Sequence, residues 1–170
     1  MVYKSKPVDV LLEFEHRKYR LGDTIEVTVT LVPNTGIDIR EASLNLVMEE
    51  RFTEAKVTQS GGMIGGAIGG GGGFHSTDYI PMQQSISNKS NTLVHSSTQF
   101  LASTTLEAGQ RAHKVALRIN SDPPKRLAES QERVKDSNSS ITFHWRLEAK
   151  VDVVRGRNPK VQRKVNIDLT

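Results

Sequence analysis

Apolar and polar residues alternate one by one along much of this chain, and this alternation constrains the fold more than any other feature. In a β-strand successive side chains point to opposite faces, so a period of two places the apolar residues of a segment on one face. In the segment "GDTIEVTVTLVP", for example, Ile25, Val27 and Val29 alternate with polar residues. The same pattern recurs at 8–14, 25–31, 44–48, 113–119, 141–153 and 161–169.

These segments predict an all-β protein in which antiparallel sheets pack face to face. Each segment has one apolar and one polar side, and Gly, Pro and Asn residues separate the segments, which is typical of a β-sandwich. The length of 170 residues matches one domain, spanning 1–170. A helix is favoured only after Pro123-Pro124, for one or two turns with Leu127, Ala128 and Val134 as apolar anchors.

Composition excludes several classes of function. The chain has no cysteine, so disulfides, thiolate catalysis and cysteine-ligated zinc are excluded. The N-terminus has no apolar targeting segment, and no run of 18 apolar residues occurs, so we expect a cytoplasmic chain rather than a secreted or membrane-spanning one. The net charge is +4 and about 5% of residues are aromatic. The aromatic residues are not interleaved with the basic ones, so we expect no nucleic-acid partner.

Nine of the thirteen glycines lie between Gly61 and Gly73. A phosphate-binding P-loop would need Lys and Ser/Thr directly after the last glycine, and here Phe74 and His75 follow. The tract is also too short to span a bilayer. We therefore predict a flexible Gly/Ser-rich insertion at 59–92 within one domain. Residues 76–105, which overlap this insertion, are expected to form a polar, irregular segment that rejoins the sandwich near 93–101.

Several phrases of the sequence resemble arrestin-like domains. They are "YRLGDTIEVTVTL", "GIDIREASLNLVMEERFTE", "LEAGQRAHKVALRINSDPP" and "ITFHWRLEAKVDVVRG". The resemblance covers nearly the whole chain apart from 60–92. The resemblance implies an immunoglobulin-like sandwich of the arrestin N-domain type, and proteins of this type usually contain two such sandwiches in tandem. Its members include the arrestins, the retromer's arrestin-like subunit and bacterial sporulation-control proteins.

The resemblance also implies a function. Its members are cytoplasmic adaptors that bind other proteins, phosphorylated receptor tails among them, and they are not enzymes and need no cofactor. Lys4 and Lys6 resemble the paired lysines that contact receptor phosphates. The Gly tract occupies the position of the finger loop, which inserts into receptors, so Met63, Ile64 and Ile68 are candidate partner contacts.

A basic stretch near the end of the chain supplies further candidates. Arg155, Arg157 and Lys160 form part of an acid-free run that we interpret as a second anion-binding patch. Arg163 lies in the apolar phase of its segment, where a charge needs a partner or contact with water. It resembles the arginine of the arrestin polar core, but Lys18 stands where the acidic partner is expected. We therefore expect its guanidinium at a strand end, in water.

No catalytic, metal or cofactor site is predicted. The five histidines are scattered without metal-ligand spacing, and no nucleophile–base set can be nominated, so we do not expect an enzyme. The main hypothesis is a protein-binding scaffold that uses strand edges and loops. Two alternatives stay open: phosphate-dependent peptide binding, and a structural or carbohydrate-binding sandwich. The last would need exposed aromatic residues, whereas Trp145 lies in the inward phase. Peripheral membrane contact and the oligomeric state are left open.

Overall fold

The computed structural model describes residues 6–58, 83–134 and 139–170. The side chains of 56–58, 83–85 and 133–134 are not described. Nine strands and one helix occur in these ranges: β1 (Val8–Phe14), β2 (Lys18–Arg20), β3 (Thr24–Pro33), β4 (Ile37–Thr58), β5 (Gln83–Leu101), β6 (Thr104–Leu106), β7 (Arg111–Arg118), α1 (Lys125–Val134), β8 (Ser139–Val153) and β9 (Lys160–Asp168).

The strands form two sheets, and the predicted β-sandwich is confirmed. The smaller sheet has the order β1-β3-β7, and the larger has the order β2-β9-β8-β4-β5, with β6 also pairing with β4. Neighbours are antiparallel except β2 and β9, which run parallel. The two inner faces meet in one apolar core, as sheets with one apolar side must.

The core consists of the side chains that the alternation places inward. On β3, Ile25, Val27, Val29 and Leu31 are at most 2% exposed. Burying one such side chain stabilises the fold by roughly 1.5–3 kcal/mol before entropy is counted. The inner faces of the other strands supply the rest, among them Val8, Leu12, Leu44, Leu46, Met48, Val115, Leu117, Trp145, Leu147, Ala149 and Val151.

Strand β4 is the centre of the larger sheet. It pairs with β8 on one side and with β5 and then β6 on the other, so most of its backbone is hydrogen-bonded on both sides. Beyond Met48 its inner face carries Glu50, which is buried against Ser130 of α1. The helix therefore covers the end of the larger sheet.

Helix α1 is longer than expected. It starts directly after the two prolines, and the N–H of Leu127 donates to the carbonyl of Pro124 at 2.9 Å. Proline is well suited to the start of a helix because its missing N–H would have no partner there. Leu127 is half-buried as predicted, but Ala128 is exposed, and the buried residue of the next turn is Ser130.

The prediction of an irregular segment is wrong for 83–92 and 104–106, which lie in β5 and β6, whereas the predicted return to the sandwich near 93–101 agrees with the second half of β5. The sequence of β5 is mostly Ser, Thr, Asn and Gln, so it lacks the alternation of a half-buried strand. It is nevertheless a strand because β4 supplies backbone hydrogen bonds along its length. At the edge of a sheet, largely exposed, it needs few apolar side chains. The Gly tract, with Met63, Ile64 and Ile68, lies outside the described residues.

Candidate protein-binding surfaces

Strand β5 forms one edge of the larger sheet. In the described ranges no strand pairs with its outer side. Three apolar side chains of this strand are exposed: Ile86 at 64%, Val94 at 54% and Leu93 at 36%. In the sequence they are scattered apolar residues within a polar segment. The adjacent pair Leu93-Val94 in a Ser/Asn-rich run is the signal that could have singled them out.

The register of β5 on β4 decides which side chains share a face. Ile86 lies opposite Ala55 and Val94 lies opposite Val47, and the ladder between these two pairs has no register shift. Ile86 and Val94 are therefore on the outer face of the sheet, whereas Leu93, opposite Met48, points inward. Eight residues separate the two outer side chains, which corresponds to about 27 Å of strand.

The C-terminal part of β5 is attached to the rest of the molecule. A register shift between Leu46 and Val47 leaves His95 as an extra residue in β5. The ring nitrogen Nε2 of His95 lies 3.1 Å from the carbonyl oxygen of Asn120, and the N–H of Asn120 donates to Ser96 Oγ at 2.9 Å. The His95 ring also packs edge-on against Trp145. Among the described residues, the stretch of the edge without such attachments is therefore 86–94.

A charged cluster lies on the outer face of the larger sheet. Arg51 and Arg146 both donate hydrogen bonds to Glu49, at 3.0 and 2.9 Å. The hydrogen bond from Arg51, with the positive charges of both arginines, holds the pKa of Glu49 below its ordinary value. Glu49 is only 19% exposed in its side chain and Arg146 23%. Arg51, Glu49 and Arg146, the Glu49 triad, thus hold one another in place on the outer face of β4 and β8.

The basic residues predicted to bind anions are only partly brought together. Lys6 and Lys160 line one groove of about 340 Å³ between the start of β1 and the start of β9. Arg155 and Arg157 are exposed in the turn between β8 and β9 and do not line that groove. Lys4 lies outside the described residues.

Arg163 is exposed, as predicted from its charge, but it lies within β9 and not at a strand end as expected. It lies opposite the buried Leu147 in the β8–β9 ladder and forms no ion pair with an acid of the described ranges. Lys18 stands on β2, beyond β9, and pairs in register with Asn166. Trp145 is 5% exposed, which agrees with its predicted inward position.

Two further observations concern the described residues alone. No three His, Asp or Glu residues of these ranges come together in a geometry that could hold a metal ion. No helix in these ranges has the length and hydropathy to cross a membrane.

Comparison with known proteins rests on the fold. No family model matches the chain, and no curated protein sequence matches it either. Among solved structures, the chain is similar to Spo0M, a sporulation control protein from Bacillus subtilis, with a TM-score of 0.60 over 98% of this chain. The fold is arrestin-like. The arrestin-like chain spans about half (51%) of the length of Spo0M, and the two are 11% identical over the match. At this identity the similarity concerns the fold alone.

Proposed function

We propose that this arrestin-like chain is a non-enzymatic, cytoplasmic protein-binding module whose main site is the exposed edge of β5. The single observation that carries this proposal is the open stretch 86–94, with Ile86 and Val94 exposed on the outer face. The partner is a protein that presents an extended segment. Its backbone adds a strand to the sheet, and its apolar side chains cover Ile86 and Val94.

The composition of β5 supports this proposal. Edge strands are normally protected against pairing by charged side chains, proline or a very short length. Strand β5 has nineteen residues, no proline, and Lys89 as its only Lys, Arg, Asp or Glu. An edge that is long, carries a single charge and is partly apolar is suited to pairing with another chain.

The proposal is tested with peptides selected from a random library on the immobilised protein. We expect selected peptides to carry apolar residues and to protect the amides of 86–94 from hydrogen exchange. Ile86→Lys and Val94→Lys should each weaken binding about tenfold, because each places a charge where an apolar contact worth over 1 kcal/mol is made. Val154→Lys is the matched control, since Val154 is 43% exposed but lies outside any strand. Selected peptides that protect other strands, or that bind both β5 variants normally, would contradict the proposal.

A second candidate function is phosphate-dependent peptide binding. It is favoured by one observation, the position of Lys6 and Lys160 on the same groove. Two lysines can hold a phosphate as paired point charges. Titration with a phosphopeptide at low salt should shift the resonances of Lys6 and Lys160, and the unphosphorylated peptide should not. Equal binding of the two peptides would exclude this function.

A further inference from the structure

Strands β8 and β9 separate from each other before either of them ends. Their ladder runs from Lys150 opposite Lys160 to Trp145 opposite Val165. Beyond that point β9 pairs in parallel with β2 over 166–168, while β8 continues to pair with β4 on its other side down to Ser139. The separation opens a groove of about 690 Å³ in the larger sheet, within the size range of ligand sites.

Backbone hydrogen-bonding groups line this groove. In the described ranges no strand pairs with Thr142–His144 on the side of β8 that faces β9. Inward and outward side chains alternate along both walls of the groove. Phe143, Val165 and Ile167 belong to the inner face of the sheet, and their neighbours in the chain belong to the outer face. An extended segment between the strands would therefore find backbone partners on β8 and an apolar wall on one side.

The outer rim of the groove is basic. Lys18 and Lys164 both line it and are exposed, and neither forms an ion pair with an acid of the described residues. His144 lies on the same rim. Among the described residues that line the groove, Asp168 is the one with a carboxyl group. It accepts hydrogen bonds from the N–H and the hydroxyl of Thr170, and these hold its pKa below the ordinary value.

The position of Lys18 is fixed by its neighbour. Tyr19 is 1% exposed, and its hydroxyl donates to the carbonyl of Glu15 at 2.7 Å. The guanidinium of Arg17 lies over the same ring, 4.2 Å from its centre. The short strand β2 is thus held in place by a buried side chain, which keeps Lys18 at the rim of the groove.

We propose that the groove between β8 and β9 binds an extended acidic segment of a partner protein, which adds as a strand beside Thr142–His144. Alternating side chains of that segment point outward, where carboxylates meet Lys18 and Lys164, and inward, where apolar groups meet Phe143 and Ile167. The inference rests on the proposed protein-binding function, and it adds a second site with its own chemistry, separate from β5.

The experiment uses Trp145, the only tryptophan of the chain, as a fluorescent reporter at the groove. The probe is the blocked pentapeptide Glu-Val-Glu-Val-Glu. Its controls are Lys-Val-Lys-Val-Lys and a version of the acidic peptide methylated on alternate backbone nitrogens. We expect saturable binding of the acidic peptide, with at least tenfold weaker binding of both controls, because one lacks the charge complementarity and the other the backbone donors.

Variants locate the site. Lys18→Gln and Lys164→Gln should each weaken binding of the acidic peptide up to about fivefold, as expected for one exposed ion pair. Lys150→Gln, an equally exposed change on β8 outside the groove, should leave it within twofold. All three residues are on the surface, and near-ultraviolet circular dichroism checks that each variant is folded.

Several results would overturn the inference. They are equal binding of the acidic and basic peptides, full binding of the methylated peptide, and complete competition by inorganic phosphate, which would indicate a simple anion site. Loss of binding in Val94→Lys with normal binding in Lys18→Gln would place the peptide on β5. In that case the inference fails and the proposed function stands. If the acidic peptide binds in the groove and library peptides do not protect 86–94, the inference stands and the β5 site fails.

Discussion

The hydroxyl of Ser130 on α1 donates a hydrogen bond of 2.7 Å to the carboxyl group of Glu50 on β4, and both residues are buried. They are 80 positions apart in the chain. Glu50 lies in the inward phase of β4, where an apolar residue would be expected, and a buried carboxyl group is stable only with a hydrogen-bonding partner. This pair links the helix to the end of the larger sheet.

We predict that Ser130→Ala lowers the free energy of unfolding by about 1–3 kcal/mol, because it leaves a buried Glu50 oxygen without its donor. Urea denaturation measures the change. The control is Ser90→Ala on the exposed edge, with an expected effect below about 0.5 kcal/mol. The double variant Glu50→Leu with Ser130→Ala should recover part of the loss, since neither polar group is then left unpaired. A Ser130→Ala protein as stable as the wild type would contradict the role given to this pair.

The Glu49 triad gives the stability of the protein a component that depends on pH. The hydrogen bond from Arg51 and the charge of Arg146 lower the pKa of Glu49 in the folded state, from an ordinary value of 4.5. A lowered pKa in the folded state stabilises the protein above the unfolded pKa, and this contribution is lost as the pH falls through the folded pKa.

Glu49→Gln should therefore destabilise the protein by about 1 kcal/mol near neutral pH, and the difference from the wild type should shrink as the pH falls below about 4.5. Denaturation curves between pH 7 and pH 3 measure it. Glu41→Gln is the control, because Glu41 is exposed on the same strand and has no ion pair with another described residue. A difference that stays constant over this range would show that the carboxylate charge of Glu49 is not the cause.

Adjacent leucines on β1 test the alternation directly. Leu12 is 5% exposed and Leu11 is 49% exposed, although both are leucines in the same strand. We expect Leu12→Ala to cost about 2–4 kcal/mol through lost burial and the cavity left behind, and Leu11→Ala to cost about 0.5 kcal/mol or less. Thermal and chemical denaturation of the two variants measure the difference. Similar losses for both would mean that β1 does not present one face to the core.

Gly22 lies in the turn that precedes β3, and Gly36, which lies just before β4, serves as its control. Gly22 has a φ of 89°, and a Cβ there would lie 3.3 Å from Ser121 Oγ. Gly22→Ala should therefore destabilise the fold by about 1–2 kcal/mol. Gly36 has open space around it and no positive φ in the left-handed region, so Gly36→Ala should be neutral or slightly stabilising. Equal effects in the unfolding free energy would contradict the strain argument at Gly22.

The alternation predicted most of the core because burial in a sandwich depends on the face that a side chain occupies. Val27 and Val29 on β3 and Leu147 on β8 are inward in sequence and buried in the structure. Arg163 was predicted at the surface for a related reason, since a guanidinium without a partner is costly to bury. These outcomes are local, and a local pattern is enough to predict them.

The features that the alternation could not predict depend on pairing between distant segments. Residues 83–92 are a strand because β4 hydrogen-bonds to them, and their Ser/Asn-rich sequence has no apolar face to reveal it. The groove at Lys18 and Lys164 arises because β9 changes partner from β8 to β2. No single segment carries the signal for that change. Lys18 was therefore missed as a binding residue, and Lys164 was expected to bind anions only as part of the basic run 155–164.

The position of β4 has a consequence for synthesis on the ribosome. Its Leu46 pairs with Leu147, about a hundred residues later, and the smaller sheet likewise takes β1, β3 and β7 from separated parts of the chain. The larger sheet therefore cannot form until β8 has emerged from the ribosome, and the smaller sheet cannot be completed until β7 has emerged. Until then, the strands that were synthesised earlier have unpaired edges. Such long-range pairing makes folding slow and late, and the nascent chain is exposed to aggregation and to chaperone binding during that interval.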